Sequence, residues 1–246
     1  MTTTSPPPQS RAADEAKQAS RPSGTAELVV SDLAGTLVTD TGVVARAYED
    51  VLTRFGIPFT GDDLVQARGA SKTAVITALV RRCAPLERVG ALSAEILGEF
   101  NAAVLAGLAD APEVDGVTEA ITALKSTGIR LALTTGFTRP VAEQIIAHRP
   151  WRSDIDLLIT AEDVCGGRPS PYMIFHAMHL LGVRDIATVA VIGDTVPDLE
   201  SGTNAGARWV IGVLSGAHPV TLLGATRHTH LLSTFAGLPA LLARAS

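Results

Sequence analysis

Lysine, cysteine and aromatic residues are all scarce in this chain, and the shortages exclude several classes of function. Two cysteines, Cys83 and Cys165, cannot build a disulfide framework or a cysteine-based metal site, and neither lies in a Cys-x-x-Cys pair. A reducing cytoplasm is the expected setting. Phe, Trp and Tyr make up 4% of the residues, and the formal net charge is −5 at a sequence pI near 5.7. Binding nucleic acid calls for a basic surplus to displace counterions and for aromatic faces to stack on, so no nucleic acid partner is expected. No unbroken apolar run reaches the roughly 20 residues of a membrane-spanning helix, so no membrane partner is expected either. Residues 1–24 mix Thr, Ser, Pro and scattered charge without the apolar centre of a signal peptide, and they read as a disordered tail. Lysine occurs only at Lys17, Lys72 and Lys125, against 17 arginines, so each position carries some information.

Apolar residues are plentiful: 46% of the 246 are hydrophobic, enough for one large domain or a core with an insert. The chain is organised around Glu27-Leu28-Val29-Val30-Ser31-Asp32-Leu33-Ala34-Gly35-Thr36, where a Val-rich run ends in an acid, a small residue, a glycine and a hydroxyl. That pattern predicts a buried strand delivering Asp32 to a tight loop at its carboxyl end, where open α/β sheets bind ligands. From Gly42 the period is helical, with Val43, Val44, Ala47, Tyr48, Val51, Leu52 and Phe55 at three- and four-residue steps until Gly56. Thr60 and Ser71 read as N-caps of two further helices, the second running from Lys72 to about Cys83, and a longer helical pattern fills 86–108.

After Asp115-Gly116, helices and strands alternate. Strands are predicted at 129–134, 155–160, 187–192 and 209–213, with an edge strand near 230–232. Helices are predicted at 117–126, 139–148, 171–181 and 197–204, and a last one runs to about Arg244. The order predicts an α/β fold, a doubly wound parallel sheet built from residues 25–42 and 114–246. A helical cap domain, residues 43–113, is inserted after the first strand and would sit over the Asp32 loop.

The strand ends then converge. Asp32 and Thr36, Thr135 and Gly136, and Asp194 through Asp198 fall just past predicted strands, with Arg168 in a loop before a helix. Asp32 and Asp194 are hard oxygen ligands suited to Mg²⁺, whose shell is commonly completed by waters and a substrate phosphate. Thr135 and the Gly136 amide can donate to phosphoryl oxygens, and Arg168 can neutralise their charge. The pairs His176/His179 and His228/His230 read as surface residues, Phe137 as pocket lining or core, and Cys165 carries no assigned chemistry.

D-L-A-G-T at 32–36, T-T-G at 134–136, G-R-P-S-P at 167–171 and G-D-T-V-P-D at 193–198 resemble, in order and spacing, the four motifs of the haloacid dehalogenase superfamily. The likeness runs from about Leu28 to the C-terminus. It implies that Asp32 is a nucleophile forming an aspartyl-phosphate and that Asp32, Asp194 and the Ala34 carbonyl hold Mg²⁺. It also implies that Asp198 orients a water on the ion from behind, and that Thr36 and Gly136 belong to the phosphate site. Most phosphatases of this superfamily carry a second Asp two residues after the nucleophile as general acid, and this chain has Ala34. A missing general acid typically forfeits ~10² to 10⁴ in rate.

The D-x-A-G-T form, T-T-G and Arg168 in place of the usual Lys resemble the phosphonatase-like branch, the phosphonoacetaldehyde hydrolases and their relatives. There a cap lysine forms a Schiff base, so the carbon leaves as an enamine and needs no acid. Gly69-Ala70-Ser71-Lys72 stands where that lysine would be, with Arg68 as a nearby cation. The branch's cap histidine is matched by Val75, and its cysteine is absent from Thr39-Asp40-Thr41-Gly42-Val43. The first expectation is therefore a Mg²⁺-dependent phosphatase acting on a small phosphorylated metabolite, such as a sugar- or cyclitol-like phosphate gripped by Lys72. Cleavage of a P–C bond through a Lys72 Schiff base is the alternative. The small-molecule substrate is the expected partner, and a homodimer is left open.

Overall fold

The structure is a computed structural model describing residues 25–244, so the tail expected at 1–24 lies outside the described residues. Six parallel strands form one sheet among the described residues. They are β1 (Leu28–Ser31), β2 (Arg130–Thr135), β3 (Leu157–Thr160), β4 (Val189–Gly193), β5 (Trp209–Val213) and β6 (His230–Leu232), ordered β3-β2-β1-β4-β5-β6. Val30 of β1 stands opposite Ala132 on one side and Val191 on the other. Both faces of β1 are covered, which is why its sequence is continuously apolar rather than alternating.

Four helices follow β1: α1 (Val43–Arg54), α2 (Gly61–Ala67), α3 (Lys72–Arg81) and α4 (Leu86–Leu108). The core then supplies α5 (Val117–Ser126), α6 (Arg139–Ile146), α7 (Tyr172–Leu181), α8 (Val196–Ala205), α9 (Val220–Ala225) and α10 (Leu238–Arg244). Alternate strand residues face opposite layers. Val29, Leu131 and Leu133 pack in the cluster that holds α5, α6 and α10, while Leu28, Val30 and Ala132 pack with Met173, Ile174 and Ala177 of α7.

Some predicted boundaries shift for local reasons. Two strands start two residues late because 3-10 turns occupy 152–154 and 186–188, the second capped by Asp185 accepting from the Ala187 amide at 2.9 Å. Strand β2 begins at Arg130 because the Ile129 amide closes α5 on the Leu124 carbonyl.

Among the four helices that follow β1, Thr60 and Asp63 form a reciprocal capping box on α2, and Ser71 caps α3 through the Ala74 amide. Among the described residues, α4 alone is long and apolar enough, by length and composition, to cross a bilayer. A search for unbroken apolar runs passes over it because Glu87, Arg88, Glu95 and Glu99 interrupt the pattern. Its buried stripe of Val89, Ile96, Phe100, Val104 and Leu108 packs against α1 and α3, with Tyr48 and Phe100 ring centres 4.4 Å apart. Those contacts make it the central helix of the four.

Residues 39–42 and 110–116 join the four helices to the sheet, and the second segment is held firmly. The Thr39 amide bonds the Pro112 carbonyl and the Val114 amide bonds the Leu37 carbonyl, each at 2.9 Å. Arg149 of the core donates to the carbonyls of Ala111 (2.5 Å), Leu108 and Ala109 (both 3.1 Å). It thereby satisfies carbonyls left over at the α4 carboxyl end and places positive charge there. Arg149→Ala should cost about 2 kcal/mol, roughly 4–8 °C in Tm, and speed proteolytic cleavage at 109–113. An unchanged melting curve and digestion pattern would remove the clamp from the account.

Candidate active site

Strand order reverses between β1 and β4, and the crevice beyond their carboxyl ends is where doubly wound sheets bind ligands. Asp32 follows β1 and Asp194 follows β4, and carboxylate oxygens of Asp32, Asp194 and Asp198 lie within 4.8 Å of one another, all buried. Two glycines make room for Asp194: a Cβ on Gly35 would stand 2.4 Å, and one on Gly216 2.0 Å, from its Oδ2. That oxygen accepts from the Ala217 amide at 2.6 Å, and Oδ1 accepts from the Thr36 hydroxyl at 3.1 Å. Burial, followed by the charges of Asp32 and Asp198, holds the Asp194 carboxyl well above the usual range despite those bonds.

Arg168 is the guanidinium that touches this acid group. It pairs with Asp32 Oδ1 at 2.6 Å, clasps Asp198 Oδ1, and donates to the Thr134 carbonyl at 2.7 Å. Burial opposes its charge, but Asp198 and Asp32 outweigh that and hold its pKa up. Arg168 therefore fixes the Asp32 carboxylate from behind, itself 5% exposed and outside the cavity lining. The other Asp198 oxygen accepts from the Thr195 amide and hydroxyl in a capping box on α8. Burial pushes Asp198 up to about 6, partly offset by Arg168. Both of its oxygens are committed, to the arginine and to the helix start.

Three crowded buried carboxylates against one touching guanidinium leave negative charge to be balanced. A small hard dication with oxygen ligands fits that donor set, and Mg²⁺ is the natural choice. Thr36 is fully buried and its hydroxyl donates to Asp194 Oδ1, while Gly35 lets Asp194 tuck against the β1 loop.

Thr135 and Gly136 line the cavity, and Gly136 also seats the segment 70–72. Its carbonyl accepts from the Lys72 amide at 2.9 Å, and a Cβ there would stand 2.0 Å from the Ala70 carbonyl oxygen. Gly69, at φ +73°, approaches Thr195 in the same way. The loop 69–72 is thus laid directly on the catalytic crevice.

Lys72, the first residue of α3, is only 4% exposed. Its Nζ lies 5.5 Å from the Phe137 ring centre and 5.8 Å from that of Tyr48, and donates to the Ala67 carbonyl at 3.3 Å. Burial pushes its pKa down to about 8 against the pull of Asp32, with Arg168 reinforcing the fall. Asp32, Ala34, Lys72, Thr135 and Gly136 line one cavity of about 260 Å³.

Phe137 and Tyr48 belong to that cavity wall too. Tyr48 reads from sequence as a helix-face apolar residue, and nothing local distinguishes it. The His176/His179 and His228/His230 pairs stay outside the acidic cluster.

Residues 29–212 match the family model for haloacid dehalogenase-like hydrolases. The chain is 32% identical over 209 residues to the phosphonoacetaldehyde hydrolase of Bacillus cereus strain B4264, covering 80% of this chain and 78% of that protein. The Bacillus cytotoxicus phosphonoacetaldehyde hydrolase is 31% identical with the same coverage. Among solved structures, a phosphonoacetaldehyde hydrolase-like protein from Oleispira antarctica superposes with a TM-score of 0.74 at 19% identity, covering 90% of this chain and 93% of that one. CbbY from Rhodobacter sphaeroides, solved with phosphate, gives 0.68 at 21% identity, covering 87% and 96%.

Proposed function

The chain belongs to the haloacid dehalogenase-like hydrolases, and within that family we propose that it hydrolyses the C–P bond of a phosphonate bearing a carbonyl on the next carbon. The reading rests on one observation: a buried lysine amine, with its pKa near 8, lines the same cavity as Asp32. The sequence alone puts phosphate esters first, and the burial of Lys72 is our reason for reversing that order. Ala34 then stops being a defect, because an enamine leaves without a proton. The 32% identity to a phosphonoacetaldehyde hydrolase supports the same choice.

The neutral Lys72 amine adds to the substrate carbonyl and expels water to give an imine, which takes up one proton from solvent to become the iminium. Asp32, held by Arg168, attacks phosphorus; the C–P electron pair flows into the iminium, leaving an enamine on Lys72 and an aspartyl-phosphate on Asp32. Water cleaves the aspartyl-phosphate to phosphate and restores Asp32. The enamine takes a proton at carbon, and a second water releases the carbonyl product and free Lys72. Thr135 and the Gly136 amide would hold phosphoryl oxygens, while Tyr48 and Phe137 keep the amine dry enough to lose its proton. Asp32, Asp194 and the Ala34 carbonyl would hold Mg²⁺, which supplies charge neutralisation for the phosphoryl group when bound.

Phosphate-ester hydrolysis is the second reading, favoured by Val75 and by the missing cysteine in 39–43. Sodium borohydride with phosphonoacetaldehyde decides between them. The expected result is a covalent adduct on Lys72, located by peptide mass, with phosphate released when borohydride is omitted. Phosphate release from esters without any trapped adduct would restore the second reading.

A further inference from the structure

Resting on that reading, we propose that the substrate is a 2-oxo acid with the phosphonate on its methyl carbon, and that Arg68 receives the carboxylate. Two flexible cationic side chains line the cavity, Lys72 and Arg68. Lys72 is occupied by the carbonyl, and the phosphoryl group by Asp32, Thr135 and Gly136. Arg68 remains. It is half-buried and donates from Nη1 to the Ala217 carbonyl at 2.6 Å, which aims the guanidinium while using one of its five N–H donors.

Its charge is not matched locally. Arg68 makes no ion pair among the described residues, whereas Arg168 makes two. The nearby cavity acid Asp40 has Oδ1 committed to the Val43 amide at 2.7 Å, at the start of α1. The imidazole of His218, buried beside the Ala217 contact, is held below its ordinary pKa by burial and by the charge of Arg68. A planar guanidinium with donors to spare on a cavity wall matches a carboxylate in charge and in its two-oxygen geometry. An aldehyde offers only hydrogen at that position. The bond changes are those already given: the C–P pair enters the iminium, and the carbon product is a methyl 2-oxo acid.

The test compares 3-phosphonopyruvate with phosphonoacetaldehyde on the full chain, on Arg68→Met and on Arg68→Lys. The wild type should favour the carboxylated substrate in kcat/KM. Arg68→Met should lower the 3-phosphonopyruvate value about 10- to 100-fold more than the aldehyde value, with Arg68→Lys recovering part of the difference. Equal losses on both substrates, or a wild-type preference for the aldehyde, would overturn the assignment. If borohydride traps neither carbonyl on Lys72, the C–P reading fails by itself. Arg68 is then judged by the same criterion on 3-phosphoglycerate against glycerol 3-phosphate, where an unchanged ratio in Arg68→Met rejects it.

Discussion

Asp32→Asn should reduce phosphate release to background, a loss of roughly 10⁴-fold or more, without loss of fold. A carboxamide does not attack phosphorus, and it cannot repeat the charged pair with Arg168 at 2.6 Å. The substitution should not weaken the protein, because Asp32 is one of three buried acids and its charge raises both Asp194 and Asp198. Removing that charge relieves its neighbours, so the melting temperature should hold or rise while turnover disappears. Chelation should give the same kinetic result reversibly, with Mg²⁺ restoring activity to the wild type and not to the variant. Phosphate release that survives either treatment, measured beside circular dichroism, would remove Asp32 and the ion from their proposed roles.

Asp32, Thr135 and Asp194 are legible in the sequence because each stands where an apolar strand ends, and in a parallel sheet such ends collect at one edge. The helix starts at Thr60 and Ser71 are legible because capping is local chemistry. Ile155 and Ala187 mislead because an apolar residue just after a 3-10 turn, as Ile155 is, or inside one, as Ala187 is, looks like a strand start. The aromatic wall around Lys72 could not be assembled from sequence: Tyr48 comes from α1 and Phe137 from the loop after β2, and only the fold brings them to one amine. Arg149 is invisible for the same reason, since it grips carbonyls some 40 residues earlier. The partner of the Thr36 hydroxyl is hidden in the same way, because Asp194 lies 158 residues later in the chain.

Lys72→Met should abolish imine trapping and also make the protein more stable at pH 7. Folded Lys72 gives up its proton near pH 8, and the ordinary value is 10.5. Between those limits the unfolded chain binds more protons than the native one, so wild-type stability rises with pH across that window. Below pH 8 the whole penalty for burying the ammonium is present, on the order of 3 kcal/mol. Methionine fills a similar volume between Tyr48 and Phe137 without that penalty. The variant should therefore melt upwards of about 5 °C higher at pH 7, with its advantage shrinking from pH 8 towards 10.5. The same proton governs the chemistry: wild-type kcat/KM on a carbonyl phosphonate should climb about tenfold per pH unit up to about pH 8 and then level, because only the neutral amine attacks. A Lys72→Met protein that is less stable by the same amount at every pH, and still releases phosphate, would make Lys72 a structural residue. The two measurements probe one property, since the burial that destabilises the ammonium is what supplies a nucleophile near neutral pH.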